Sequence, residues 1–392
     1  MKYNFDEIID RHGTDAIKIE RCKALFGTED VIPLWVADMD FRTPDFILNS
    51  ITKRLEHPIL GYTSPSDKYF ESVMSWIDYL HGWKIKRDWL GFLPGIVPGI
   101  AFAINAFSEE GDEVIIQPPV YPPFITIPRK NNRQLIYNPL KEINGKFEMD
   151  IEDFERKITD KTKLFILCNP QNPGGRAWDK KTLTRVAEIC HKHNILVVSD
   201  EIHSDIALPG YSHTPFATVS EVAEQNSLTF MAPSKTFNMA SLISSSYIIP
   251  NPEIRNKFAD FLSGCELSNG NIFAFVAGQA AYENGAEWRS EMIEYIQGNI
   301  DYVVDFLKNH VPQIKPMVPE ASFLIWLDCT DMGLPSNELQ DFMVNKAGLG
   351  MNKGTMFGPG GEKHLRLNIA CPRSVLVKAM GQLKKAIDKL IE

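Results

Sequence analysis

The stretch Ile195-Leu196-Val197-Val198-Ser199-Asp200-Glu201 decides the fold, because it is a short apolar run that ends in two carboxylates. Such a run is typical of a buried strand in a parallel sheet. A second apolar run, residues 228–231, leads into Ala232-Pro233-Ser234-Lys235-Thr236-Phe237-Asn238. A lysine with small and hydroxyl neighbours near a buried carboxylate has the setting of a Schiff-base nucleophile. The two stretches together predict an α/β fold with a reactive lysine beside the sheet.

Apolar runs alternate with helical patterns through the middle of the chain. The predicted strands cover residues 113–117, 134–137, 163–168, 195–199, 228–231 and 244–249. The helical patterns between them cover residues 99–107, 180–193 and 254–262. This alternation is typical of a mostly parallel sheet with helices on both faces.

The C-terminal part of the chain has a different pattern. It predicts a long helix over residues 288–309, a strand at 322–328, a helix at 336–346, a strand at 364–369 and a final helix from Pro372. A chain of 392 residues is also long for one hydrophobic core, which favours two domains. We therefore expect a large domain over residues 48–287 and a smaller α+β domain made of residues 1–47 and 288–392.

The composition excludes several classes of protein. A net charge of −9 and a pI near 5.6 argue against a nucleic-acid surface. The six cysteines form no CxxC pair, and His191 and His193 point to different helical faces, so we expect reduced thiols and no metal site. The acidic N-terminus does not resemble a signal peptide, and the apolar stretches are too short to span a bilayer. We expect a cytoplasmic protein without nucleic-acid or membrane partners.

Polar segments follow four of the predicted strands. They are the proline-rich segment 118–124, residues 169–175 (NPQNPGG), residues 200–203 (DEIH) and the Ser234-Lys235 pair. An Asn-Pro-Gly segment alone predicts only a turn. Ligands of an open parallel sheet, however, bind at the carboxyl ends of its strands, so four polar ends in succession predict one site.

The segment Pro94-Gly95-Ile96-Val97-Pro98-Gly99 leads into an apolar helix. The first N–H groups of such a helix can bind an anion without basic side chains, although without the other motifs a plain loop would be the preferred interpretation. Neither a Walker loop nor a dinucleotide fingerprint fits the sequence.

On these motifs the chain resembles the fold-type I pyridoxal-phosphate enzymes of the aspartate aminotransferase superfamily. Within them it is similar to the MalY/PatB-like cystathionine β-lyase (C–S lyase) branch. The resemblance covers essentially the whole chain and rests on PLWVADMDF (33–41), Gly61-Tyr62, the segment around Tyr121, NPQNPGGRAW (169–178), DEIHSD (200–205) and SKTFN (234–238). It implies an aspartate aminotransferase-like large domain with a mostly parallel seven-stranded sheet, pyridoxal 5′-phosphate as cofactor, and a homodimer with shared active sites.

The resemblance also implies roles for residues around the coenzyme ring. Lys235 would carry the coenzyme as a Schiff base and later move the substrate's α-proton. Asp200 would pair with the pyridine nitrogen and keep it protonated, so that the ring withdraws electrons. Asn172 and His203 would lie at the coenzyme's 3-hydroxyl, and Tyr121 would stack on the ring. His203 is a departure, because most relatives carry tyrosine at that position.

The same resemblance assigns the phosphate and the substrate. The backbone amides of Ile96 and Val97, together with Ser234, would bind the phosphate, and Tyr62 would reach the phosphate of the neighbouring subunit and take part in catalysis. Ile243 is a departure, because most superfamily members carry a basic, phosphate-binding residue there. The substrate contacts implied are those of Arg366, which would bind the α-carboxylate as a bidentate fork, of Ala37 and of Asn172.

No motif chooses between the reactions open to such a site. Expulsion of a thiolate from the β-carbon gives elimination, whereas return of the proton to the coenzyme gives transamination. The resemblance favours a C–S lyase that converts L-cystathionine or related cysteine S-conjugates to a thiol such as homocysteine, pyruvate and ammonia. The alternative is a class I/II aminotransferase that passes the amino group to a 2-keto acid. Intact Lys235, Asp200 and Arg366 argue against a third possibility, a catalytically silent regulator.

Overall fold

The computed structural model describes residues 1–267 and 269–391, and we number its regular elements in chain order. The α-helices of these residues are α1 (Ile17–Glu20), α2 (Cys22–Phe26), α3 (Asp45–Leu55), α4 (Asp67–His81), α5 (Ile96–Phe107), α6 (Pro123–Lys130), α7 (Ile151–Arg156), α8 (Lys180–Lys192), α9 (Glu221–Gln225), α10 (Pro252–Gly264), α11 (Ile272–Asn284), α12 (Ala286–His310), α13 (Ser336–Asn345) and α14 (Arg373–Ile391). The strands are β1 (Ile32–Pro33), β2 (Leu90–Leu93), β3 (Glu113–Ile116), β4 (Gln134–Tyr137), β5 (Lys141–Ile143), β6 (Lys146–Glu148), β7 (Thr162–Cys168), β8 (Leu196–Asp200), β9 (Ser227–Met231), β10 (Ser245–Ile248), β11 (Lys315–Met317), β12 (Leu324–Asp328), β13 (Leu349–Gly350), β14 (Asn352–Lys353) and β15 (His364–Asn368).

The largest sheet has seven strands in the order β2-β10-β9-β8-β7-β3-β4. Strand β10 runs antiparallel to β2 and β9, and the remaining pairs are parallel. The expectation of a mostly parallel seven-stranded sheet is confirmed, and all six strands predicted for it form within one residue or two of the predicted ends. Strand β2 was not predicted, because Gly91 breaks its short apolar pattern. A Cβ at Gly91 would lie 2.1 Å from the ring of Tyr247 on β10, so a larger residue there would force this ring to move.

The register of the central strands brings their carboxyl ends together. Cys168 at the end of β7 pairs with Asp200 at the end of β8, and Asp200 pairs with Phe230 on β9. The segments that follow these strands therefore start side by side at one edge of the sheet. This alignment is the physical basis of the site.

The C-terminal elements form a second sheet in the order β11-β12-β15-β14, with antiparallel pairing throughout. Helix α12 packs its buried stripe, which includes Trp288, Met292 and Ile296, into the core cluster that also contains residues of this sheet. Full burial of each such side chain contributes about 1.5–3 kcal/mol. The predicted long helix and the predicted strands of this region are confirmed.

The N-terminal segment is tied to the C-terminal part of the chain. Strand β1 pairs in parallel with β13, and Ile32 lies opposite Leu349. One core cluster contains Phe5 and Leu34 from this segment together with Leu367 from β15. No helix within residues 1–267 and 269–391 is long and apolar enough to cross a membrane.

Candidate active site

A cavity of about 270 Å³ lies at the carboxyl ends of β7, β8 and β9. Nine of the eleven predicted site residues line it, namely Ala37, Ile96, Val97, Tyr121, Asn172, Asp200, His203, Ser234 and Lys235. The other two, Arg366 and Tyr62, lie outside its wall. The register of the strands explains this convergence, because residues far apart in sequence follow neighbouring strand ends.

Lys235 lies in the turn after β9, where the Phe237 N–H donates to the Pro233 carbonyl. Its Nζ donates to the carbonyl oxygen of Ala37 at 2.7 Å. Burial, followed by the charge of Arg366, lowers the pKa of Lys235 to about 8, against the opposing charges of Asp38 and Asp200. A substantial share of this lysine is therefore the neutral, nucleophilic amine near pH 8.

Asp200 closes strand β8 and is buried. Burial raises the pKa of its carboxyl to about 7, although the backbone N–H of Ile202 and the charge of Lys235 favour the ionised form. The Ile202 N–H donates to Oδ1 at 3.1 Å. A carboxylate in this position is stabilised by a cation placed against it, because burial penalises the unpaired charge.

His203 and Tyr121 are the ring side chains of the cavity. The Nδ1 atom of His203 is buried without a hydrogen-bond partner among the described residues. Burial and the charges of Lys235 and Arg366 lower the pKa of His203 to about 3, so the imidazole is neutral at physiological pH. Burial also raises the pKa of Tyr121, which therefore stays a neutral phenol.

The start of helix α5 forms one end of the cavity. Gly95, which precedes the helix, has a φ of 97°, and a Cβ there would lie 3.2 Å from Cδ of Pro98. The free N–H groups of the first helical turn, from Ile96 and Val97, carry the positive end of the helix dipole. Ile243 lines the same cavity, has a φ of 53° and is half exposed. Ile243 therefore adds no charge to this end of the cavity.

Arg366 is held on strand β15 by three acceptors. Its Nη2 donates to the Trp35 carbonyl at 2.8 Å and to Asn352 Oδ1 at 2.7 Å, and Nη1 donates to Asn172 Oδ1 at 3.1 Å. Burial lowers its pKa to about 10, so the guanidinium remains charged at neutral pH. Its buried Nε lacks a partner among the described residues and is left to donate to another acceptor. Sequence reasoning missed Asn352, which lies opposite Arg366 on the neighbouring strand β14.

Residues 35–41 form a strap that lies between the lysine turn and strand β15. Asn238 Oδ1 accepts the N–H of Met39 at 3.0 Å, and its Nδ2 donates to the Met39 and Phe41 carbonyls. From the other side, Asn368 Nδ2 donates to the Asp38 carbonyl at 2.6 Å. Neither asparagine was predicted to act here, although Asn238 belongs to the SKTFN motif. The strap brings the Ala37 carbonyl to the lysine and the Trp35 carbonyl to the arginine.

Tyr62 does not reach the cavity of its own chain. Its side chain is fully exposed, and nearby apolar residues, including Leu55, Ile59 and Leu60, are also exposed. The implied role of Tyr62 at a neighbouring subunit therefore needs a second copy of the chain.

The sequence profile described as aminotransferase class I and II matches residues 29–383. The chain belongs to the class I and II aminotransferase family. It is 44% identical over 386 residues to cystathionine beta-lyase PatB of Bacillus subtilis (strain 168), an alignment that covers 98% of this chain and 100% of that protein. A PLP-bound putative aminotransferase from Clostridium difficile 630 is 42% identical, with a TM-score of 0.96 and coverage of 98% of this chain and 100% of that chain. The PLP-bound C-S lyase of Staphylococcus hominis is 35% identical, with a TM-score of 0.91 and coverage of 99% and 98%.

Proposed function

We propose that the protein is a pyridoxal-phosphate-dependent C–S lyase that cleaves L-cystathionine or a related cysteine S-conjugate into a thiol, pyruvate and ammonia. The observation that carries this proposal is the convergence of Lys235, Asp200 and the cavity-facing Asn172, which holds Arg366, around one cavity. The relatives named as cystathionine β-lyase and C–S lyase support the same reaction class.

The residues present fit pyridoxal phosphate. Asp200 is a buried carboxylate that needs a cationic partner, and it suits a protonated pyridine nitrogen. The unpartnered Nδ1 of His203 is a buried polar atom near the ring site, where a coenzyme hydroxyl could satisfy it. The N-terminus of α5 suits the phosphate, with Ile96 and Val97 as donors and Ser234 beside them. When bound, the coenzyme supplies the electron-withdrawing ring that stabilises negative charge at the substrate's α-carbon.

We assign the proton transfers to Lys235. With its pKa lowered to about 8, its amine can take the α-proton, and the resulting ammonium can give that proton to the thiolate sulfur as the Cβ–S bond breaks. Asp200 would hold the proton at the pyridine nitrogen of the bound coenzyme, and Tyr121 would lie against its ring. Arg366 binds the substrate α-carboxylate and thereby orients the Cα–H bond toward Lys235.

The charges around the cavity favour a cysteine S-conjugate over aspartate. Among the described residues that line it, Lys235 is the only lysine and none is an arginine. Arg366, behind Asn172, can serve one carboxylate. The side-chain carboxylate of aspartate has no cationic partner among these lining residues, whereas a thioether sulfur suits the apolar wall that Ile202 and Ile243 provide. The distal carboxylate of L-cystathionine has its own ammonium partner on the same carbon.

The direct test is pyruvate release from L-cystathionine with and without an added 2-keto acid. A C–S lyase releases pyruvate and thiol in the absence of any acceptor. An enzyme that is inactive until the keto acid is added is an aminotransferase, and that result would reject the proposal.

We also propose a homodimer in which Tyr62 completes the phosphate site of the partner subunit. The exposed apolar stretch around Tyr62 supports a covered surface in the assembly. We keep the division into residues 48–287 and residues 1–47 with 288–392, which the pairing of β1 with β13 supports. The six free cysteines are consistent with our proposal of a cytoplasmic location.

A further inference from the structure

We infer that Asp205 is a positioning residue that fixes the spacing between Asp200 and Lys235 by tying together the two loops that carry them. The inference rests on the proposed coenzyme, whose single rigid ring has its nitrogen and its lysine-bound carbon at opposite positions. Asp200 and Lys235 would bind opposite ends of one rigid ring, so the distance between them must stay fixed. The structure contains a buried bond between their loops that meets this requirement.

Asp205 lies in the short 3₁₀ turn Ser204–Ile206, in the loop that follows Asp200. Its Oδ2 accepts the hydroxyl of Thr236, the residue next to Lys235, at 3.0 Å. Thr236 is completely buried and Asp205 is 5% exposed, so water does not compete for this bond. The bond therefore joins the loop after β8 to the loop after β9 directly behind the cavity.

Asp205 is itself held in place by side chains of helix α4. Trp76 Nε1 donates to Oδ2 at 3.1 Å, and His81 Nε2 lies 3.2 Å from Oδ1. Burial alone would raise the pKa of Asp205, but the hydrogen bond and charge of His81, the charge of Arg289 and the Thr236 hydroxyl lower it overall. The carboxylate is thus an ionised acceptor with a fixed position.

A second buried acid fixes the loop after β8 at its root. Glu201, the residue after Asp200, is completely buried. Its Oε1 accepts hydrogen bonds from the Ser199 hydroxyl at 2.8 Å and the Phe216 N–H at 2.9 Å, and its Oε2 lies 2.6 Å from Nε2 of His213. The Asp200 side is therefore held without Asp205, and beyond the last β8–β9 strand pair the Thr236–Asp205 bond links the lysine turn to it.

Asp205, Thr236 and Glu201 take no part in the proposed proton transfers, and none of them lines the cavity. A purely structural role would let their loss lower thermal stability while leaving coenzyme affinity and turnover unchanged. A positioning role predicts loss of coenzyme affinity and of turnover. Without the bond, the distance between Asp200 and Lys235 would no longer match the length of the coenzyme ring.

The test compares Thr236→Val with Thr236→Ser and with the matched control Thr229→Val in the purified holoenzyme. Thr229 is also completely buried, lies on β9, and its hydroxyl has no hydrogen-bond partner among the described residues. The measurements are the dissociation constant of pyridoxal phosphate from visible absorbance, then kcat and KM for L-cystathionine, and the melting temperature. We expect Thr236→Val to weaken coenzyme binding and lower kcat by about tenfold or more each, with KM changed less than kcat. Thr236→Ser and Thr229→Val should stay within about threefold of the parent protein.

Parent-like coenzyme affinity and kcat in Thr236→Val would overturn the inference, whatever its melting temperature. Equal losses in Thr236→Val and Thr236→Ser would also overturn it, because the hydroxyl would not be the cause. If Thr236→Val does not fold, Thr236→Ala, which also lacks the hydroxyl, takes its place in the same measurements and is judged by the same criterion. Failure of the parent protein to release pyruvate would count against the proposed reaction alone, since coenzyme binding still decides the role of Asp205.

Discussion

Replacing Asp200 by Asn should stabilise the coenzyme-free protein while it abolishes the chemistry. Burial raises the pKa of Asp200 from 3.8 to about 7. At about 1.4 kcal/mol per pKa unit, ionisation of this group costs the folded, coenzyme-free protein about 4 kcal/mol. A bound, protonated pyridine would offset this penalty, but the coenzyme-free protein has no such partner.

The sign of the pH dependence follows from the proton count. Because the folded-state pKa lies above the unfolded one, the folded protein binds the extra proton between about pH 4 and pH 7. Stability therefore falls as the pH rises through this window, and the full penalty is present above it. An amide at position 200 cannot ionise, so Asp200→Asn should gain up to about 4 kcal/mol at pH 8 and nothing near pH 4.

The assay is urea unfolding of the coenzyme-free proteins at pH 8 and at the lowest pH where unfolding is reversible. The matched control is Asp305→Asn, an exposed aspartate on helix α12, which should leave the free energy of unfolding unchanged at both pH values. With coenzyme restored, Asp200→Asn should release pyruvate at least about a hundredfold more slowly. An Asp200→Asn protein that is no more stable than the parent at pH 8 would show that ionised Asp200 does not destabilise the coenzyme-free protein.

Three further outcomes are expected. Arg366→Lys should raise KM for L-cystathionine by about tenfold to a hundredfold without changing coenzyme affinity, because lysine cannot form the bidentate fork. An unchanged KM would show that Arg366 does not bind the substrate. Co-expressed Lys235→Ala and Tyr62→Ala chains should regain turnover that neither variant has alone, since a mixed dimer contains one intact site; absence of recovery would contradict a shared site. The rate of coenzyme loading should rise with pH and level off above about pH 8, where Lys235 is neutral; a rate that continues to rise toward pH 10.5 would contradict the lowered pKa.

The sequence predicts the strands and the cavity well because both depend on local pattern. The run that ends at Asp200 forms a buried strand, and parallel neighbours place Lys235 and Asn172 at the same edge. Strand β2 escaped prediction because Gly91 interrupts its pattern, and the need for glycine there comes from the ring of Tyr247 across the sheet. That contact joins residues distant in sequence, so no local pattern contains it.

The residues that hold the site residues in place could not be predicted either, because their contacts also join positions distant in sequence. Asn238, Asn352 and Asn368 are ordinary polar residues in sequence, and their side-chain amides gain roles only where the strap and strand β15 meet. Asp205 likewise carries no signal beyond its place in DEIHSD, because its partner Thr236 is on another loop. Tyr62 is different, since its implied role requires a second copy of the chain.

The most direct test of this account is to identify the lysine that holds the coenzyme. Borohydride converts a lysine–pyridoxal phosphate imine into a stable amine, which peptide mass spectrometry can locate. If Lys235 holds the coenzyme, we expect a phosphopyridoxyl group on Lys235 in the parent protein and its loss in Lys235→Ala. A modified lysine elsewhere, or none in protein saturated with coenzyme, would contradict the assignment of the cavity.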